Sequence, residues 1–212
     1  MGQSGNIMLS IIHAAPAVGF IGLNSVFSNF YVRWFEPNDR VKLNYNGLCN
    51  NKITAFDSFY KYKTTTRFNR KEWPNYIKLK SEKLAKARDI LKSFNGPVAT
   101  VHGRWLSGEC DDRANKLKTF CTNKKNGWKE TCHYTSNSIS KLVPKNIKTI
   151  LYLTDNQRPE YTKTFKNIDK HPFDIQLAMM IESEYHFGNP MSSIDYLVSK
   201  WRQKKKSTYP EQ

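Results

Sequence analysis

Four stretches of this chain end in residues suited to handling phosphate and hydroxyl groups. The run Val98–Val101 leads into His102, Gly103 and Arg104, and Ile147–Leu153 leads into Thr154, Asp155 and Asn156. Glu184–Phe187 leads into Gly188, Asn189 and the pair Ser192 and Ser193. The apolar run Ile7–Ile12 leads into His13 and a loop of small residues reaching Asn24. An Arg guanidinium is a planar, permanently charged fork that grips phosphate oxygens. A helix N-terminus, opened here by Ser192, points backbone N–H groups at an anion. A carboxylate such as Asp155 accepts hydrogen bonds from a ribose or a base. This set fits a nucleotide diphosphate better than a metal ion or an acyl group. Each member also has a plainer reading: an ion pair for Arg104, an Asx turn for Asp155, a cap for Ser192, a packed imidazole for His13. Their joint placement at successive strand ends is what points to a site, because open α/β sheets bind ligands there.

The elements that must hold these residues follow from periodicity. Ile7–Ile12 and Val98–Val101 read as buried strands, Ile147–Leu153 as a third strong strand and Glu184–Phe187 as a short one. Val41–Leu48 is a weaker strand candidate. Val26, Phe27, Phe30, Tyr31 and Trp34 form a helical stripe, capped by Asn24 or Ser25 and stopped at Pro37. Ile77, Leu84 and Leu91 recur every seven residues, with Ala87 and Phe94 on the same face, and predict a helix opening at Pro74. Asn95, Gly96 and Pro97 punctuate its end. Residues 111–145 are polar and read as a long loop with a short helix near Asn115–Phe120. Phe173–Glu182 reads as a helix. Ser192 caps a final helix whose apolar face is Ile194, Leu197, Val198 and Trp201, with Asp195 at the capping-box spacing. Alternating strands and helices predict an α/β fold in two small Rossmann-like lobes. The boundaries read as 1–95 for an N-terminal lobe, 96–203 for a ligand-binding C-terminal lobe and 204–212 for a basic tail.

Composition narrows the partners. The chain has 212 residues, with 34 Lys+Arg against 18 Asp+Glu, a formal net charge of +16. Such a balance implies an anionic partner and says nothing about fold. Eleven Lys/Arg and three acids lie between Lys61 and Lys92, and Lys200, Arg202, Lys204, Lys205 and Lys206 add five more cations. These read mainly as solvated surface. Twelve Phe, eleven Tyr and five Trp exclude a disordered chain. No apolar run reaches the ~20 residues of a membrane span, and no signal peptide is evident, so a soluble, cytoplasmic protein is expected. Cys49, Cys110, Cys121 and Cys132 make no zinc pattern and read as free thiols in a reducing compartment. No Asp-x-Asp appears, so no metal site is expected. A basic nucleic-acid-binding module is the alternative reading, motivated by the net charge and by interleaved stretches such as Phe59–Lys63.

Taken in order, these motifs resemble those of the GDP-fucose-dependent fucosyltransferases, the group of protein O-fucosyltransferases and α1,2- and α1,6-fucosyltransferases. Val98–Arg104 resembles the strand and His-x-Arg motif that opens their donor-binding lobe. Leu151–Asn156 is similar to their strand ending in Thr-Asp, and Tyr185–Ser193 to their strand, turn and paired hydroxyls on a helix start. Gly22, Leu23 and Asn24 resemble their acceptor-side Gly-x-x-Asn loop. The resemblance spans roughly Ile7 to Trp201. It implies a GT-B-like arrangement of two lobes and inverting, metal-independent transfer of a deoxyhexose, fucose or a relative such as rhamnose, to a glycan or protein hydroxyl. It implies that Arg104 clamps the donor β-phosphate and helps the nucleotide leave. His102 would orient the site, Thr154 and Asp155 would meet base or ribose, Ser192 and Ser193 the phosphates, and Asn24 the acceptor side. The co-substrate would be a GDP-sugar, with no further cofactor; the partners would be this donor and a glycan or glycoprotein acceptor, with nucleic acid disfavoured. Two departures stand out: Trp105–Gly108 follow the first motif where the family often carries a second basic residue or Gly-Asp, and the chain is short for the group. A base is also wanted near the acceptor hydroxyl, or a nearly dissociated sugar cation that needs little base. With no Asp or Glu between Met1 and Phe35, His13 is the titratable candidate there; Glu36 and Asp39 lie beyond the helix and read as too far away.

Overall fold

The computed structural model describes residues 21–22, 25–39, 41–42, 77–102, 135–153, 163–168, 170–188 and 192–202. They belong to two compact units that divide between Glu82 and Lys83.

In the N-terminal unit, helix α1 spans Ser25–Trp34. Strands β1 (Ile21–Gly22) and β2 (Val41–Lys42) pair in parallel, Ile21 opposite Val41. Tyr31, Trp34 and Phe35 are buried, with the Phe35 ring 5.4 Å from Tyr31 and 6.3 Å from Trp34. The helix expected from Pro74 starts later. Residues 77–80 are extended, and Leu79 bridges antiparallel to Phe35. The Glu36 N–H donates to the Lys78 carbonyl (2.8 Å) and the Lys80 N–H to that of Trp34 (3.0 Å). Ile77, Lys78, Leu79 and Lys80 alternate apolar and basic, and Ile77 and Leu79 are both buried. That is the period of a strand, and it prevails over the seven-residue spacing that linked Ile77 to Leu84.

Helix α2 then spans Ser81–Lys92. Its first residue is tied from 45 positions away: the Glu36 carboxylate accepts the Ser81 N–H at 2.7 Å and its hydroxyl at 2.6 Å. An anion at a helix start satisfies an orphan donor and complements the helix dipole. The same bonds hold the Glu36 carboxyl below its usual pKa. After α2 the chain turns at Gly96, whose φ of 98° suits a residue without a Cβ.

The C-terminal unit is a four-stranded, fully parallel sheet in the order β5-β4-β3-β6. Its strands are β3 (Val98–His102), β4 (Thr149–Leu153), β5 (Lys166–Asn167) and β6 (Tyr185–Phe187). Helix α3 (Ser136–Leu142) precedes β4, α4 (Phe173–Glu182) precedes β6, and α5 (Ser193–Trp201) follows it. Every residue of β3 is buried, as expected of a central parallel strand covered on both faces. Period-two alternation divides the sheet's two faces. Ala99, Val101, Ile150, Tyr152, Tyr185 and Phe187 share one apolar cluster with Ile139 and Val143, contributed by α3 and its C-cap. Thr100, His102 and His186 alternate with these residues and face the other way. On that side α4 packs on β3 and against α5, burying Leu177, Met180, Ile194, Leu197 and Val198. The sheet and helices establish the expected α/β class.

Helix α3 lies in the polar stretch expected to be a loop. Its start is a capping box: Ser138 N–H donates to Thr135 Oγ1 (3.1 Å) and Thr135 N–H to Ser138 Oγ (2.9 Å). The apolar anchors Ile139 and Val143 are four apart and both buried. Strand β5, exposed and only two residues long, carries no hydrophobic pattern and was not anticipated.

Candidate functional site

The strand order contains its own pointer to a site. The chain lays down β3, β4 and β5 in one direction across the sheet, then returns to place β6 on the opposite side of β3. Ligands of open α/β sheets bind at the carboxyl ends of strands where the order reverses in this way. Two parallel neighbours meet there, with Val101 paired to Phe187. His102 is the last residue of β3, and Gly188 follows β6 directly. Ser192 is buried, and α5 begins at Ser193.

The carboxylate of Asp195, in the first turn of α5, ties these ends together. Its Oδ2 lies 2.6 Å from His102 Nδ1 and its Oδ1 lies 3.0 Å from His186 Nε2. All three side chains are buried. The backbone N–H of Asp195 reaches Ser192 Oγ at 3.5 Å, the long end of a hydrogen bond. The spacing of Ser192 and Asp195 reads as a capping box, but the carboxylate has a larger role in joining two strand-end imidazoles. Gly188 makes the approach possible: a Cβ there would stand 2.9 Å from Asp195 Cβ and 3.1 Å from its Cγ and Oδ1.

The network continues inward. His186 Nδ1 is 2.9 Å from Thr100 Oγ1, which is 2.9 Å from Ser183 Oγ. The Arg202 Nη1 donates to Ser183 Oγ (3.2 Å) and to the carbonyls of Met180 (2.6 Å), Ile181 (3.2 Å) and Ser183 (3.0 Å), and its Nη2 donates to that of Glu184 (3.2 Å). A cation at the C-terminus of α4 satisfies its last carbonyls and opposes the dipole. Arg202 was read with the solvated cations of the C-terminal stretch. It is buried instead, because the end of α4 offers it carbonyl acceptors. Burial lowers its pKa to about 10, and Glu184 and Glu182 pull the other way. Lys83, partly buried, pairs across to the buried Asp174 of α4 at 3.1 Å, and Arg88 stays exposed while pairing with Glu182 at 3.2 Å.

Electrostatics set the charge states. Burial alone would raise the Asp195 carboxyl, but His102 and His186 outweigh it and hold the group at about 2. Asp195 is therefore a buried anion at neutral pH. Burial lowers the pKa of His186, more strongly than Asp195 raises it, so that ring stays neutral. Its Nε2–H donates to Asp195, and its Nδ1 accepts from the Thr100 hydroxyl.

Of the residues expected from sequence, His102 and Ser192 are brought to the same end of the sheet and are linked through Asp195. Ser193 opens α5. Arg104, Thr154, Asp155, His13 and Asn24, with the Ile7–Ile12 strand and the Asn115–Phe120 helix, lie outside the described residues. Sequence reasoning missed Asp195, His186, Thr100, Ser183 and Arg202 as members of one network. The available signal was the alternation of Thr100 and His102 in β3, which puts two polar side chains on one face of a buried strand.

The N-terminal unit holds a separate cavity of about 600 Å³, lined by Tyr31, Phe35, Glu36, Asn38, Asp39 and Lys80 among others. It contains none of the residues expected to form the site, although Glu36 and Asp39 line it. Among the described residues no helix is long and apolar enough to cross a membrane.

No family model matches the sequence, and no curated protein matches it. Solved structures do. The α-1,6-fucosyltransferase NodZ, soaked with GDP-fucose, superposes with a TM-score of 0.51 at 12% identity, over 93% of this chain and 89% of that one. NodZ co-crystallized with GDP gives 0.50 at 13%, over 92% and 88%. POFUT1 in complex with GDP gives 0.49 at 13%, over 64% of this chain and 48% of that one, so the chain spans about half the length of POFUT1. At these identities the likeness is one of fold, shared with the same group of proteins that the motifs resemble.

Proposed function

We propose that this chain is a glycosyltransferase that moves a deoxyhexose from a nucleotide-diphosphate sugar to a glycan or protein hydroxyl. The observation that carries the reading is the reversal of strand order between β3 and β6. His102 and the helix start at Ser192 and Ser193 stand at that reversal, in a fold shared with NodZ, a protein whose structure was obtained with GDP-fucose. A GDP-sugar is the favoured donor, fucose the favoured sugar and rhamnose the close variant. Arg104, two residues beyond His102, holds the β-phosphate and offsets charge as the nucleotide departs. Ser192 and Ser193 meet the phosphates through the helix start, and Thr154 and Asp155 meet the base or ribose. Transfer inverts the anomeric centre and needs no metal, because cationic side chains and helix N–H groups supply the stabilisation of the leaving diphosphate. His13 acts on the acceptor hydroxyl, beside Asn24. The division into an acceptor-side lobe at 1–95 and a donor lobe at 96–203 belongs to the same proposal.

Thermal unfolding against a panel of GDP-, UDP-, dTDP- and CMP-sugars in excess EDTA tests it. A ligand at ~100 times its dissociation constant adds ~2.7 kcal/mol. The proposal expects GDP-fucose or another GDP-deoxyhexose to raise the melting temperature under chelation. Stabilisation by none of them, or only after Mn²⁺ or Mg²⁺ is restored, contradicts it.

A further inference from the structure

We propose that the cavity of the N-terminal unit is a second binding site, with a neutral oligosaccharide as its ligand. Its place follows from topology. Strands β1 and β2 run parallel, so the chain leaves β1 at its carboxyl end and must return to the amino end of β2. Helix α1 makes that return, and residues 35–39 carry the chain on toward β2. The cavity forms around this junction, at the carboxyl end of α1. Nucleotide sites of open α/β sheets lie outside the strand carboxyl ends. The cavity is therefore on the far side of its own unit from where such ligands enter.

Its walls are held by paired backbone. The segments around Phe35 and Leu79 run antiparallel, joined by the Glu36–Lys78 and Lys80–Trp34 bonds of 2.8 and 3.0 Å. The Tyr31 hydroxyl donates to the Glu36 carbonyl at 3.1 Å. A volume of about 600 Å³ lies within the ~300–1,000 Å³ of small-molecule sites. Val32, on the lining, is 47% exposed, one of two large apolar side chains left in water among the described residues. Pro37 adds a second exposed apolar surface.

The polar groups select the ligand. The Ser81 N–H and hydroxyl both donate to Glu36 Oε1, at 2.7 and 2.6 Å. They fix the carboxylate and, among the described residues, leave Oε2 to accept from a ligand. These bonds, with Lys78 and Lys80 near, hold the carboxyl below its usual pKa, so it is ionised at neutral pH and only accepts. Lys80 supplies a donor, and Asn38 offers both kinds of group. Among the described lining residues Glu36, Asp39 and Glu82 oppose one cation, Lys80, a balance that repels phosphate and carboxylate ligands. A small cation would meet Lys80 and leave the apolar surface unmatched. Sugar hydroxyls donate and accept at once, and the C–H face of a sugar ring covers Val32 and Pro37. The inference stands on this lining and not on the proposed transfer.

The test is the ¹H–¹⁵N amide spectrum of the whole chain, titrated with cellohexaose, mannohexaose and xylohexaose, and separately with spermine and with inorganic phosphate. At least one saccharide should bind and shift the amides of Val32, Glu36 and Asn38. Binding of none of the three, or binding that spares these amides, overturns the inference. So does a response of the same amides to spermine or phosphate in place of the saccharides. Two variants supply the second measurement. Glu36→Gln keeps an oxygen for Ser81 and replaces Oε2 by a donor, and Val32→Glu places a charge on the exposed apolar surface. Each should weaken the saccharide about tenfold or more, with the melting temperature unchanged. Unchanged affinity in a folded variant overturns the inference; if one variant does not fold, the other decides. A chain that binds no GDP-fucose defeats the proposed function and leaves this inference to the saccharide titration.

Discussion

Replacing His186 by Gln should flatten the acid side of this protein's stability curve. The ring is completely buried between β3 and α5. Burial lowers its pKa most; Asp195 raises it, and Arg202 and His102 lower it further. In the unfolded chain the ring titrates near 6.5. As pH falls below that value, the unfolded chain takes up a proton that the folded chain refuses. The contribution is therefore fully present above about pH 7 and is lost as pH drops through 6.5, with a slope of at most about 1.4 kcal/mol per pH unit. Between about pH 7.5 and pH 5 the loss reaches up to about 2 kcal/mol. Asp195 acts in the same direction further down: its folded value of about 2 lies below 3.8, so its share is lost only as pH falls through that interval. Gln keeps an N–H for Asp195 and an oxygen for Thr100 but does not titrate. Urea unfolding followed by Trp fluorescence at three pH values measures the effect, and the difference between native chain and variant isolates the ring. If the two lose stability in parallel on acidification, the reasoning is refuted.

Gly188→Ala should cost about 1–3 kcal/mol by overpacking, because the new methyl meets Asp195 on the body of α5 rather than the tip of a flexible chain. A change in melting free energy below about 0.5 kcal/mol would show that α5 yields freely. Gly96→Ala should cost about 1–2 kcal/mol for a different reason, since its surroundings are open and only its φ of 98° is strained. Gly96→Asn should be milder, and equal costs for Ala and Asn would argue against backbone strain. Arg202→Met removes the donors to the last carbonyls of α4 and should destabilise by about 2–4 kcal/mol, with Arg202→Lys recovering part of it. A neutral Arg202→Met in denaturant titration contradicts the assigned role.

The C-terminal unit was readable wherever periodicity was strong. Phe173–Glu182 occupies the span expected of it, and the final helix begins at Ser193 as the Ser192 cap implies. The strands of β3, β4 and β6 lie within or next to the apolar runs that announce them. Reading failed where a local pattern had two interpretations. Ile77 fits both a seven-residue helix spacing and a two-residue alternation, and only the pairing of Phe35 with Leu79 decides between them. Helix α3 was hidden because Thr135 and Ser138 cap it reciprocally without the usual Glu or Gln. The site was legible as strand ends and not as a network. Asp195 is local to Ser192 in sequence but 93 residues from His102, and that long-range partner determines its role. Arg202 sits in a basic stretch, and no local feature announces that carbonyls of α4 will enclose it.

The most direct test of the central claim is transfer of radiolabelled fucose from GDP-fucose in excess EDTA, measured for the native chain and for Arg104→Ala at matched folded fractions. The account predicts release of GDP and passage of the label to an acceptor hydroxyl by the native chain under chelation. It predicts a loss of about 10²–10³ in turnover for Arg104→Ala, the scale of one removed electrostatic donor, with the melting temperature unchanged. A native chain that leaves GDP-fucose intact, or an Arg104→Ala variant that loses activity only in proportion to its unfolding, contradicts it.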